Sequence, residues 1–232
     1  MRKVPLILVA TAFTLNVFSQ EYKNRINLSF GPSFAIGLFG DKSIDNEDAG
    51  YAGTGADIYL FYEHKFSKNY GIGIKWFGNS NKYDTDRYIE NLNYITGDHW
   101  TAEEAFWGTG GLFAGATANV PTSDKLIVNF KLLVGYAVST SPLLKVTDLD
   151  RTDTWLQMES VTEGSIGFDF GAGIIYLFKP KWSVDINFDF IGSKFEYGNI
   201  VINNSGGSHD HTSYLKQSVE IINTTVGINY HF

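Results

Sequence analysis

The chain has 232 residues, of which 16% are aromatic, with 24 glycines, only 5 prolines and no cysteine. That profile suits twisted strands and turns better than helices or disorder, and the missing thiols exclude a disulfide framework, a lipid-bearing cysteine and a Cys-based zinc site. A formal charge of −7 with 19% charged residues argues against a nucleic-acid partner, because phosphate binding needs clustered Lys and Arg.

Residues 1–19 read as a signal peptide. Arg2 and Lys3 supply a positive start, Leu6 to Phe18 an apolar stretch, and Val17 and Ser19 a small-residue cleavage site before Gln20. A membrane anchor is the other reading, but the apolar run falls short of the ~20 residues a spanning helix needs. Residues 20–232 are then expected to form one domain. They contain no further apolar run approaching ~18 residues, so a membrane location requires a closed barrel, which satisfies every backbone group without helices.

From Ile26 every second residue is apolar or tolerated in lipid: Leu28, Phe30, Pro32, Phe34, Ile36 and Leu38 follow. The interleaved Asn27, Ser29, Gly31, Ser33, Ala35 and Gly37 are small or polar. Period 2 scatters apolar groups around a helix but places them on one face of a strand. Pro32 removes one ladder hydrogen bond, so a bulge or irregularity is expected there.

Strand two runs over about 55–66 with Ile58, Leu60 and Tyr62 outward, and strand three over about 70–78 with Tyr70, Ile72, Ile74 and Trp76 outward. Strand four, about 105–120, alternates weakly. Phe106, Leu112 and Val120 lie in one register, Trp107 and Phe113 in the other, and Gly110-Gly111 suggests a bulge that switches between them. The same glycines lack the lysine and the strand–loop–helix setting of a phosphate cradle. Strand five carries Leu126 to Val138 in alternation, strand six Ile166 to Phe178, strand seven Trp182 to Phe190, and strand eight Ile222 to Phe232.

The expected fold is therefore all-β, an eight-stranded antiparallel up-and-down transmembrane barrel. Connections at 67–69, 121–125 and 179–181 are short, whereas those at about 39–54, 79–104, 141–163 and 197–216 are long. Strict alternation of short and long is the pattern of periplasmic turns and external loops. Tyr70, Tyr176, Phe178, Trp182, Tyr230 and Phe232 gather beside the short turns, and Trp76, Tyr136 and Phe190 toward the other rim, as two interfacial girdles would. A soluble lipocalin-like barrel also alternates, but its apolar set would face an internal cavity, and here the second set is rich in Gly, Ser, Asn and charge.

The opening Ser29-Phe30-Gly31-Pro32-Ser33-Phe34 and closing Val226-Gly227-Ile228-Asn229-Tyr230-His231-Phe232 strands, with the alternation between them, resemble the small outer-membrane β-barrel family of OmpA/OmpX-type and PorT-like domains. The resemblance covers nearly all of residues 20–232 through generic barrel features. It implies outer-membrane lipid as surroundings and recognition by the barrel-assembly machinery through the strand ending in Phe232. It carries over no catalytic residue.

With the apolar set outward, the inward set includes Asp57, Glu63, Lys65, Lys75, Lys131, Asp169, Asp185 and Asp189. Eight strands leave room only for side chains, so a charge-paired plug is expected, with a carboxylate-lined ion path as the alternative. His209-Asp210-His211-Thr212-Ser213 offers the residue types of a catalytic triad or two imidazole metal ligands, but on a Gly- and Ser-rich tip without a rigid support. Asp41 to Asp48 collects oxygens without EF-hand spacing, and reads as a solvated acidic loop. The second long loop, with Tyr83, Tyr88, Tyr94 and Trp100, suits partner contact or packing over the mouth. Together these readings point to a non-enzymatic barrel with no cofactor and no metal, structural or bound to an outer-membrane or surface protein. A small porin or transport accessory is the alternative, and small residues outside strand four, such as Ala114 and Ala116, are a candidate contact surface.

Overall fold

The computed structural model describes residues 22–151, 153–205 and 209–232, without the side chains of Asn199 and of residues 209–214. The signal-peptide reading lies outside the described residues. In chain order the elements are β1 Asn24–Ala35, α1 Gly37–Gly40, β2 Ala52–Lys65, β3 Tyr70–Tyr83, α2 Thr85–Thr96, β4 Trp100–Ala102 and β5 Phe106–Pro121. There follow β6 Leu126–Thr140, β7 Leu144–Asp148, β8 Trp155–Met158, β9 Thr162–Lys179, β10 Trp182–Asn204 and β11 His209–His231.

Eight of these strands pair antiparallel in the order β1-β2-β3-β5-β6-β9-β10-β11, and β11 pairs back onto β1. The ring is closed. Closure matters because an open edge would leave a row of unpaired backbone groups, which hydrocarbon cannot hydrate. Asn24 and Phe232 seal the seam, each backbone N–H donating to the other's carbonyl at 3.0 Å.

The outer surface is apolar over a continuous band. Leu28, Phe30, Ile58, Ile74, Leu132, Phe170, Ile186 and Val226 are all exposed, on every part of the wall. Soluble monomers rarely expose such a continuous belt; facing lipid, these side chains need no further cover. Trp182, Tyr230 and Phe232 pack on one another at one rim, with ring centroids 5.0 and 5.9 Å apart. Trp76 and Tyr136 stand exposed toward the other.

The alternation holds in all eight strands, with differences of detail. β5 keeps one register through Gly110-Gly111 against both neighbours, so the expected switch does not occur. Phe106 and Leu112 face out, and Trp107 and Phe113 are buried inside. The Gly110 and Gly111 positions simply omit side chains from a strand that stays regular. At Pro32 the register is likewise unbroken; the ladder to β11 skips Gly31 and Pro32 and resumes unshifted at Ser33, while β2 pairs straight through. A lost donor interrupts hydrogen bonding without inserting a residue.

The external connections are more structured than loops. β3 runs on to Tyr83, and the segment after it folds as α2, where Asp84 accepts from Arg87 N–H at 3.1 Å and Gly97 ends the helix at φ 73°. β10 and β11 have 23 residues each, about twice the ~9–11 that a tilted strand needs to cross, so the fourth connection is the raised end of a hairpin. Ile202–Asn204 of that extension pair with β8, β8 pairs with β7, and β7 with β4. A small sheet thus continues one side of the barrel wall beyond the belt.

Candidate functional site in the barrel lumen

Side chains with the parity of Asn27, Asp57 and Lys75 point inward, and the space they fill has three tiers. Nearest the short turns, Arg25 Nε lies 3.0 Å from Glu63 Oε2. Glu63 also accepts from Asn119 Nδ2 at 2.7 Å, Asn129 donates to Asn119 at 3.0 Å, and Asn27 donates to Asp185 at 3.0 Å. Ser183 Oγ and His231 Nε2 are 2.8 Å apart.

The middle tier is ionic. Lys75 Nζ, wholly buried, donates to Asp169 Oδ2 at 2.7 Å and to Asp189 Oδ2 at 3.0 Å, and Lys131 Nζ lies 2.8 Å from Asp189 Oδ1. Both ammonium groups also face the Tyr59 ring, at 4.4 and 5.1 Å from its centroid, where the π-cloud favours cations. Backbone close approach makes this possible at Gly171, where any Cβ would collide with the Asp189 carboxylate and the Lys131 stem. Asp57 also lies in this region, buried, with no hydrogen-bond partner for either carboxylate oxygen among the described residues.

Above the ions an aromatic and aliphatic cluster packs beside buried polar pairs such as Ser33–Asn81 and Asn79–Asn223. Phe77 and Phe113 pack at 5.0 Å between ring centroids, with Leu133, Ile191 and Phe195 around them. Phe39 of the one-turn α1 folds down into this layer against Trp107, 5.4 Å away, and Trp107 packs on Tyr197 at 5.9 Å. The sequence predicts an inner face of Gly, Ser, Asn and charge; the structure adds this aromatic tier to it.

Of the inward residues the sequence suggested, Lys75, Lys131, Asp169 and Asp189 meet in one cluster, Glu63 pairs with Arg25, and Asp185 with Asn27. Asp57 makes no such pair, and Lys65 is only partly buried. Arg25 joins the inward residues as a lumen cation that the sequence candidates do not include, although it shares the parity of Asn27 and Ser29. Tyr59, Phe61 and Phe77 carried the same parity signal on their strands. Among barrel groups at most 3% exposed, five carboxylates (Asp57, Glu63, Asp169, Asp185, Asp189) face three cations (Arg25, Lys75, Lys131). Carboxyl groups therefore outnumber cationic side chains in this part of the lumen.

Outside the belt, the Asn46 amide and then the Ser43 backbone N–H hold the Asp41 carboxyl below its usual range, so its oxygens serve the fold of the first loop. No cluster of three or more metal-ligating side chains occurs among the described residues. His209 and His211 lie on the backbone of β11, with side chains outside the described set. His64 Nδ1 is 2.9 Å from Asn24 Oδ1, and His99 Nδ1 is 2.8 Å from Asp150 Oδ2.

A closed eight-stranded ring, apolar outside and charged within, is the architecture of a small transmembrane β-barrel. No protein-family model and no curated protein matches the sequence. Among solved structures, a major outer membrane protein from Thermus thermophilus aligns with a TM-score of 0.52 and 13% identity, over 90% of this chain and 99% of that one. The attachment invasion locus protein Ail of Yersinia pestis aligns at 0.48 and 12%, over 92% and 100%. The outer membrane protease OmpT of Escherichia coli aligns at 0.47 and 8%, over 96% and 100%. The chain has the fold of small outer-membrane β-barrel proteins.

Proposed function

We propose that this chain is a non-enzymatic outer-membrane barrel, closed by its own side chains, that acts structurally or by binding partners through its external face. The observation that carries this reading is the filled cross-section: the Lys75–Asp169–Asp189–Lys131 cluster with an aromatic tier stacked above it. Exposed Tyr94, Ile95 and Leu149 on the external connections supply surface for a protein partner. Residues 1–19 act as the export signal, and the terminal strand with Phe232, exposed on the outer face, is what the barrel-assembly machinery engages.

Reconstitution into planar bilayers tests the reading. A barrel plugged in this way gives no stable unit conductance at moderate voltage. Reproducible open channels in the wild-type protein overturn it in favour of a small porin.

A further inference from the structure

All four external connections converge on one cavity. It measures about 260 Å³ and lies between the first loop, the end of β3, α2, the β7–β8 hairpin and the raised ends of β10 and β11. Tyr51, Tyr83, Tyr88, Trp107, Leu144 and Met158 form much of its wall, and Ile200, Ile202 and Leu215 continue it along the hairpin. Residues as far apart in sequence as Tyr51 and Leu215 therefore meet around a single, mostly apolar space.

Protein interiors are close-packed, so a recess of this size opening at the barrel mouth stands apart from the packing around it. The packing immediately below, from Phe39 through Trp107 to Tyr197, leaves ring centroids 5.4 and 5.9 Å apart. The space above it is thus a local departure from a well-filled lumen. Its wall is also held under strain. Tyr51 adopts φ 49°, a left-handed conformation uncommon for a bulky residue, and keeps it through backbone N–H donation to Asp41 O at 2.9 Å.

Polar groups also reach this mostly apolar wall: three tyrosine hydroxyls, Asn46, Glu47 and Gln217, whose buried Oε1 has no hydrogen-bond partner among the described residues. The Tyr51 hydroxyl already accepts from Asn91 Nδ2 at 2.9 Å, whereas the Tyr83 and Tyr88 hydroxyls have no hydrogen-bond partner among the described residues. Burial pushes both phenols upward in pKa, so each stays protonated as donor and acceptor. A mostly apolar, concave site with few polar groups is what small-molecule recognition requires.

We propose that this external cavity binds a small, largely apolar molecule bearing one hydroxyl or comparable hydrogen-bonding group. An apolar cavity of ~150 Å³ holds benzene, so this one accommodates about ten non-hydrogen atoms, a substituted monocycle or a fused bicycle. The two free phenols orient the polar group, and Leu144, Met158 and Ile202 enclose the remainder.

The test uses the full-length protein in lipid nanodiscs and ligand-observed NMR with 4-propylphenol, propylbenzene as its hydroxyl-free analogue, and empty nanodiscs as the partition control. The expected result is saturable binding of 4-propylphenol above the control, at least tenfold tighter than that of propylbenzene. Met158→Trp, which fills the cavity, abolishes it. The gentler Tyr83→Phe/Tyr88→Phe pair brings 4-propylphenol down to the propylbenzene level while heat-modifiable gel mobility shows the barrel still folded. Binding no greater than in empty nanodiscs overturns the proposal, as does saturable binding that neither variant changes. Equal affinity of the two probes overturns the role of the phenols and leaves an acyl-chain-like occupant.

Discussion

Replacing Lys75 with Met removes the central cation while nearly keeping its volume. Lys75 is fully buried, and its ammonium is held between Asp169 and Asp189 at 2.7 and 3.0 Å. Asp189 retains Lys131 at 2.8 Å, but Asp169 then has no cation at ion-pair distance. Taking one partner from a buried pair costs about 3–5 kcal/mol, because the surviving charge stays desolvated and uncompensated. That corresponds to roughly 10²–10⁴ in the folded-to-unfolded ratio. Reversible urea unfolding in lipid vesicles, followed by tryptophan fluorescence, measures it. The Lys75→Met/Asp169→Asn double variant should recover at least half of the loss, since the orphaned charge has gone. A single-variant cost below about 1 kcal/mol would refute the ionic cluster as a stabilising element, and so would a double variant whose losses simply add.

Asp57 gives the opposite expectation. Its carboxylate is buried with both oxygens unpartnered, in a lumen where carboxylates outnumber cations, so Asp57→Asn should leave stability unchanged or raise it by about 1 kcal/mol in the same vesicle assay. A loss comparable to that of Lys75→Met would show that Asp57 carries a compensated charge. At the external surface, the hydrogen bond from His99 to Asp150, with the charge of Asp150, raises the imidazole pKa above 6.5. The folded state favours the protonated ring, so this contribution is present below the unfolded pKa and fades as pH rises through the folded one. An NMR titration should place the His99 midpoint above 6.5, and Asp150→Asn should return it toward that value; an identical midpoint in the two proteins would contradict the pairing.

Much of the barrel was legible in the chain because a strand's two faces are written in alternate residues. Ile26, Leu28 and Phe30 declare an outer face as plainly as Asn27 and Ser29 declare an inner one, and short and long connections mark the two ends. The same parity assigned Asp57, Lys75, Lys131, Asp169 and Asp189 to the lumen. Where local signals were mixed, the reading failed. In β5, Trp107 and Phe113 looked like an alternative outward set, and only ring closure shows that aromatic residues are also needed inside, above the ions. The caps of α2, Asp84 and Gly97, were present in the sequence but sat in a segment whose polarity suggested a loop.

By itself, then, the sequence determined the number of strands in the ring, which face of each is apolar, and the polar character of much of the lumen, all of which follow from the two-residue period of an extended chain. It could not determine which inward side chains meet. Lys75 and Asp169 lie 94 residues apart, and Tyr51 and Leu215 line one cavity from opposite ends of the chain. Such encounters depend on the register of every strand and on closure of β11 against β1, which align distant positions across a narrow interior. Only the tertiary structure brought Lys75 between its two aspartates, stacked the aromatic tier above them, and drew four external connections around one mostly apolar space.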